Sequence, residues 1–229
     1  MAYAVMASGE TVLPKNGVRC NRVTGTNREN METAKSSGNR MGTRDLTYCA
    51  MFVALMVVGA RINIVLPIGT GVTVSLQIMF AVITGLLIGP RDGLISLLVY
   101  LLLGLIGLPV YAHGGGFAYI LRPTYGFLIG FASAAWLSGF LKNRFRKKNL
   151  TAYLISGEIG MLSYYVFGLL YFALMSSLLL RDAQPIGFRE LMTVWFLSTV
   201  WIDAIIAGVG SLVAYKVAPA LEKINGGMR

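Results

Sequence analysis

Six apolar runs follow one another between Leu46 and Val217, and runs of that kind leave the backbone little choice of conformation. A hydrocarbon core offers no water to bare N–H and C=O groups, so each run must satisfy its own backbone, as a helix does. The runs are Leu46–Leu66, Val72–Ile88, Gly93–Tyr111, Thr124–Leu141, Thr151–Leu180 and Leu191–Val217. A helix needs about 20 residues to cross a core of about 30 Å. The second and fourth runs are at the short limit, and the fifth and sixth are long enough to tilt. Only 13 % of the residues are charged and the mean hydropathy is +0.66, whereas a soluble domain carries about 25 % charge. The expected fold class is all-α, a polytopic membrane protein of six transmembrane helices forming one domain over residues 45–229.

Residues 1–44 are polar, rich in Gly, Ser, Asn and Thr, and contain no continuous apolar stretch of the kind a cleaved signal peptide needs. They read as a disordered tail. Charge sets the orientation. With the N-terminus inside, the cytoplasmic face receives Arg40, Arg44, Arg91, Lys142, Arg144, Arg146, Lys147, Lys148, Lys216, Lys223 and Arg229, and the opposite face only Arg61, Arg122, Arg181 and Arg189. The positive-inside rule then places both termini, and the tail, in the cytoplasm of a multi-pass protein of the cell membrane. The same composition excludes several classes of function. Cys20 and Cys49 make no disulfide or metal framework, and the single His113 leaves no His pair for zinc. There is no P-loop and no constellation of nucleophile and base. No enzyme activity, cofactor, metal or nucleic-acid partner is expected.

Between the third and fourth runs lies Gly107–Phe127, with five Gly and two Pro in 21 residues. Gly114-Gly115-Gly116 cannot propagate a helix, and Pro109 and Pro123 punctuate both sides. The charge count puts this stretch on the outer face. A glycine loop lets backbone N–H groups approach a ligand, which makes His113, Gly114 and Gly115 candidates for contact, with Tyr111, Phe117, Tyr119 and Tyr125 as a flanking aromatic wall. Asp203 lies inside the sixth run, about 12 residues from its start, where a charge costs at least about 2.5–3.5 kcal/mol and should face a cavity or a partner. Glu158, in the fifth run, favours a structural or interface role on the same reasoning. Gln77 is a polar point at helix depth in the second run. Tyr164 and Tyr171 are seven apart and share a helix face, while Tyr165, Trp195 and Trp201 read mostly as packing or interfacial belt residues. Ala50-x-x-x-Ala54 is a small-x-x-x-small pattern that lets another helix approach closely, and Gly104, Gly107, Gly126 and Gly130 suggest close packing around the loop.

Four of these stretches together resemble one known family. They are Gly85-Leu-Leu-Ile-Gly-Pro-Arg-Asp-Gly93, Tyr100-Leu-Leu-Leu-Gly-Leu-Ile-Gly-Leu-Pro-Val-Tyr111, Gly114-Gly-Gly-Phe-Ala-Tyr119 and Pro123-Thr-Tyr-Gly-Phe-Leu-Ile-Gly130. Tyr165-Val-Phe-Gly168 adds to them. The chain over residues 44–217 is similar to the BioY family, the biotin-specific substrate-binding subunits (S components) of energy-coupling-factor transporters. The resemblance implies a six-helix subunit that captures biotin from outside and docks, through Ala50 and Ala54, on a transmembrane coupling subunit driven by two ABC-type ATPases. Where the family's last helix carries Gly-Asp-x-x-Lys, this chain reads Ile202-Asp203-Ala-Ile-Ile206, so the Asp is kept and the Lys is replaced. Arg122 or His113 could supply the missing cation. The expected ligand-binding set is Asp203, His113, Gly114, Gly115, Tyr119, Arg122, Gln77 and Tyr164. Ile206 keeps an S component for another vitamin or small heterocycle open, and a stand-alone channel or facilitator remains the alternative of a different class. Self-association is left open.

Overall fold

The computed structural model describes residues 42–65, 73–112, 114–179 and 196–226, all within one unit, Gly42–Arg229. The tail over residues 1–41, together with His113, Arg181, Arg189 and Trp195, lies outside the described residues. Six α-helices are described: α1 Thr43–Arg61, α2 Gln77–Ile88, α3 Pro90–Leu105, α4 Tyr125–Arg144, α5 Leu150–Leu179 and α6 Leu197–Gly226. Three segments, Thr43–Arg61, Leu150–Met175 and Thr199–Lys223, are long and apolar enough to cross a membrane.

The first two helices are shorter than the apolar runs that contain them. α1 stops at Arg61 instead of running to Leu66, and α2 starts at Gln77 instead of Val72. Between them, β1 (Asn63–Val65) pairs antiparallel with β2 (Thr73–Ser75). β-branched residues dominate both strands, and apolar character alone does not separate a buried strand from a helix. At 1.5 Å per residue α2 is only about 18 Å long, and β2 adds about 10 Å of extended chain. The ribbon satisfies the backbone that the helix does not.

α2 and α3 meet without a loop. Gly89, at φ 93°, ends one helix and precedes the other, and Pro90 occupies the first turn of α3. Pro is favoured there because its missing N–H would have had no partner. α3 therefore begins at Pro90, earlier than Gly93, and ends at Leu105, short of Tyr111. The carbonyl of Leu86, in the last turn of α2, is held from outside by Lys142 of α4, whose Nζ donates to it at 2.9 Å. α6 runs past Val217, through Pro219, to Gly226, because its last turns are polar and carry Glu222, which pairs with Lys148 at 2.9 Å.

α4 and α5 make the most extensive helix pair. A Cβ on Gly126 would lie 2.2 Å from Cβ of Tyr171, and one on Gly168 would lie 2.2 Å from the Phe127 ring. Small residues thus set how near the two backbones come, as expected where packing rather than water drives association. The core is apolar and aromatic, with Phe52, Met56, Val82, Leu86, Leu97, Tyr100 and Tyr111 fully or almost fully buried.

Candidate ligand-binding site

Asp203 starts the site. It sits about 9 Å along α6 from Leu197 at 1.5 Å per residue, nearer the helix start than the 12 residues counted along the apolar run. It is 6 % exposed. A carboxylate in that position needs a donor, and α5 supplies one: the Tyr165 O–H donates to Asp203 Oδ2 at 2.5 Å. Thr199 Oγ1 lies 2.9 Å from the same Tyr165 oxygen. Since the tyrosine has one proton and spends it on Asp203, the Thr199 hydroxyl donates to Tyr165. Among the described residues no donor reaches Asp203 Oδ1, which leaves one oxygen of the carboxylate to accept from something else.

Aromatic rings pack on Tyr165 and, beyond it, on Tyr164. Tyr164 packs edge-on to Tyr165 at 5.0 Å, stacks on Phe131 at 4.9 Å and tilts against Phe127 at 5.3 Å. Phe196 meets Tyr165 edge-on at 5.1 Å. Such rings offer flat apolar walls and positive edges to whatever lies between them.

The glycine stretch forms a second cluster. Tyr111 and Gly114 exchange both backbone hydrogen bonds, at 3.1 and 3.3 Å, closing a tight turn. Gly116, at φ 116°, then sends its N–H to the carbonyl of Gly104 at 2.7 Å. Phe117–Leu121 is one 3-10 helix. The fully buried Tyr111 is the plug of this loop: its O–H donates to Leu101 O at 2.6 Å and its ring lies on Gly104. Tyr119 lies 4.7 Å from Tyr111, Tyr125 6.4 Å from Tyr119, and Tyr171 6.0 Å from Tyr125. Arg122 is exposed, with its guanidinium 5.0 Å over the Tyr119 ring. Gln77 is buried, and its amide donates to the Tyr100 oxygen at 2.8 Å. Tyr100 in turn donates to Val110 O at 3.2 Å.

The structure therefore brings Asp203 and Tyr164 together through Tyr165, and Gly114, Gly115, Tyr119, Arg122 and Gln77 together around Tyr100 and Tyr111. α4 joins the two clusters: Tyr125 belongs to the loop group and Phe127, two residues on, to the Asp203 group. Ala50 and Ala54 are both exposed on α1. His113 falls outside the described residues. Thr199 and the hydrogen-bonding role of Tyr165 were not singled out from sequence. Thr199 is one helical turn before Asp203, a spacing that places both on one face.

A sequence model described as the BioY family matches residues 29–223. The chain belongs to the BioY family. A protein of Lysinibacillus sphaericus named a probable biotin transporter BioY is 37 % identical over 191 residues, covering 81 % of this chain and 94 % of that protein. The biotin transporter BioY of Thermotoga maritima is 34 % identical over 175 residues, 76 % of this chain and 95 % of its own length. A crystal structure at 2.1 Å of the S-component for biotin from an ECF-type ABC transporter superposes with a TM-score of 0.65. It is 26 % identical and covers 78 % of this BioY-family chain and 94 % of its own. The family match covers all six described helices, the loop cluster and Asp203.

Proposed function

We propose that this BioY-family chain is the substrate-binding S component of an ECF-type transporter and that its substrate is biotin. The observation that carries the reading is the half-satisfied carboxylate: Asp203 keeps Oδ2 on Tyr165, beside the Tyr164 and Phe196 rings that pack on that tyrosine, and no donor among the described residues takes Oδ1. A fused ureido ring presents N–H donors to such an oxygen, and its apolar flanks and aliphatic tail suit aromatic walls. Tyr164 belongs to those walls. Gly114, Gly115 and Tyr119 form the outer cover, Gln77 supports it from below, and Arg122, with His113, is the cation for the tail carboxylate. The protein binds and moves a small molecule rather than transforming it.

All six helices span the membrane in this reading, α2 with β2 as its outer extension. Both termini are cytoplasmic, residues 1–44 form the cytoplasmic tail of a domain over 45–229, and the glycine loop faces out of the plasma membrane. The basic loop between α4 and α5, exposed throughout residues 143–149, supports that orientation. A coupling subunit carrying ABC-type ATPases supplies the energy and docks on the exposed α1 face at Ala50 and Ala54.

Titration calorimetry on the purified chain tests the substrate. Biotin should bind, and Asp203→Asn should weaken it tenfold or more, about 1.4 kcal/mol. Equal affinity in the two proteins would remove Asp203 from the site. Ile206, half-buried and packed on the core where a lysine is the family pattern, favours a second reading in which the ligand is another vitamin or small heterocycle. A thermal-shift panel of biotin, dethiobiotin, thiamin and riboflavin separates the two, because stabilisation grows as RT ln(1 + [L]/Kd).

A further inference from the structure

The glycine loop is tied mostly to its own helix. Gly116 N–H to Gly104 O, Tyr111 O–H to Leu101 O and Tyr100 O–H to Val110 O all end on α3 or start from it. These bonds position the loop on α3 without joining it to the rest of the domain. Two further hydrogen bonds reach it from other helices. Tyr171 of α5 donates to the Ile120 carbonyl at 2.5 Å, on the side of the 3-10 helix. On the opposite side, Arg61 Nη2, from the last turn of α1, donates to the Pro109 carbonyl at 2.5 Å across 48 residues of sequence.

The two ties differ in kind. Tyr171 is packed in the aromatic row and held by Gly126 and Tyr125. Arg61 is exposed, at the end of its helix. Pro109 O receives no backbone N–H among the described residues. Its partner is a side chain that can swing away, and a long exposed arginine regains rotamer freedom when it does. The backbone on this side of the loop is permissive too, with Gly107 at φ 109°.

We infer that Arg61 is a latch: its bond to the Pro109 carbonyl holds the Gly107–Tyr111 segment down, and its release sets how fast ligand enters and leaves. Arg61 is a positioning residue and touches no ligand. The inference rests on the binding reading above for its ligand, but the motion of the segment can be measured without one. Arg61 and Pro109 both lie outside the proposed ligand contacts, so loss of their bond frees the segment whether or not the site is filled. Association and dissociation should therefore both accelerate, and affinity should change less than either rate.

The experiment has two arms on the full-length chain in nanodiscs. The first is amide hydrogen exchange without ligand, comparing wild type, Arg61→Ala and Arg61→Lys. Arg61→Ala should speed exchange at the Tyr111, Gly114 and Gly116 amides by about tenfold, the size of one hydrogen bond to a charged group at the lower end of its range. The amides of α4 and α5 should be unaffected, and Arg61→Lys, which keeps a charged donor, should restore most of the protection. The second arm is stopped-flow binding of biotin, in which Arg61→Ala should raise both rate constants about tenfold by the same bond strength. Unchanged exchange in the loop overturns the latch. So does faster exchange spread over all helices, which would make Arg61 a general stabiliser, and so does Arg61→Lys behaving like Arg61→Ala. If wild type fails to bind biotin, the substrate reading falls while the exchange arm still decides the latch.

Discussion

Tyr165 has one proton and two neighbours that could take it. Giving it to Asp203 fixes the polarity of the whole group: Thr199 donates to Tyr165, Tyr165 to Asp203, and Asp203 Oδ1 is left to accept. Removing the phenolic oxygen should therefore do more than break one contact. Tyr165→Phe leaves Asp203 buried without its donor, which costs about 1.5–3 kcal/mol for a hydrogen bond to a charged group. The expected result is a lower thermal midpoint in detergent together with weaker biotin binding. Thr199→Val removes the outer donor and should cost less, near the average of about 0.6 kcal/mol for interhelical hydrogen bonds in a membrane protein. A larger effect from Thr199→Val than from Tyr165→Phe would reverse the assigned polarity. Asp203 stands out in the sequence because a charge amid apolar residues must face a cavity or a partner. Tyr165 does not, because a tyrosine in such a helix serves packing equally well, and only the facing helix reveals where its proton goes.

At the level of elements, the contacts that matter are made by the smallest residues. Gly104 in α3 carries the Tyr111 ring so closely that an added Cβ would sit 2.0 Å from Tyr111 Cζ. Gly104→Ala should push out the plug of the loop and cost about 1–3 kcal/mol as overpacking does. A fluorescence or exchange signal from the loop should change while the α4–α5 pair keeps its protection. Lys142 plays a comparable part at the other end of the bundle. Its Nζ caps the Leu86 carbonyl and lies 5.7 Å from the Tyr153 ring centroid. Lys142→Met keeps the packing stem and loses the donor, so a destabilisation of about 1.5–3 kcal/mol is expected, with Lys142→Arg close to wild type. The salt bridge between Lys148 and Glu222 is a weaker matter. Both side chains are more than half exposed, and breaking it should change stability by no more than about 1 kcal/mol.

For the molecule as a whole, the charge distribution and the unit boundary each give a test. A cysteine placed at Lys147 should react with an impermeant maleimide only from the cytoplasmic side, and one at Ala112 only from outside. The opposite pattern would invert the protein and put the glycine loop within the cell. A chain starting at Gly42, where the described unit begins, should keep its melting temperature and its biotin affinity, since every described helix and every described contact of the candidate site lies beyond that point. The six helices were readable as apolar runs, because a helix satisfies its own backbone along a run of that length. Their ends were readable less well. Asn63–Val65 and Thr73–Ser75 fall inside or beside those runs, yet they pair as the β1–β2 ribbon, because pairing strands satisfies the same backbone groups as a helical turn.

Sequence alone determined the class of the protein and its run of six helices, and it singled out the glycine stretch and Asp203. Each follows from a local conflict between a residue and lipid, and a local conflict is visible in one dimension. The tertiary structure decided what those residues do. It linked Gln77, expected from sequence in the ligand-binding set, to the loop through Tyr100 and the Val110 carbonyl. It paired Asp203 with Tyr165, 38 residues away in sequence, and Arg61 with Pro109, 48 residues away. Hydrogen bonds of that range depend on which helix faces lie against each other. That choice is made by the summed packing of Gly104, Gly126, Gly168 and their large neighbours, and no single stretch of the chain carries it.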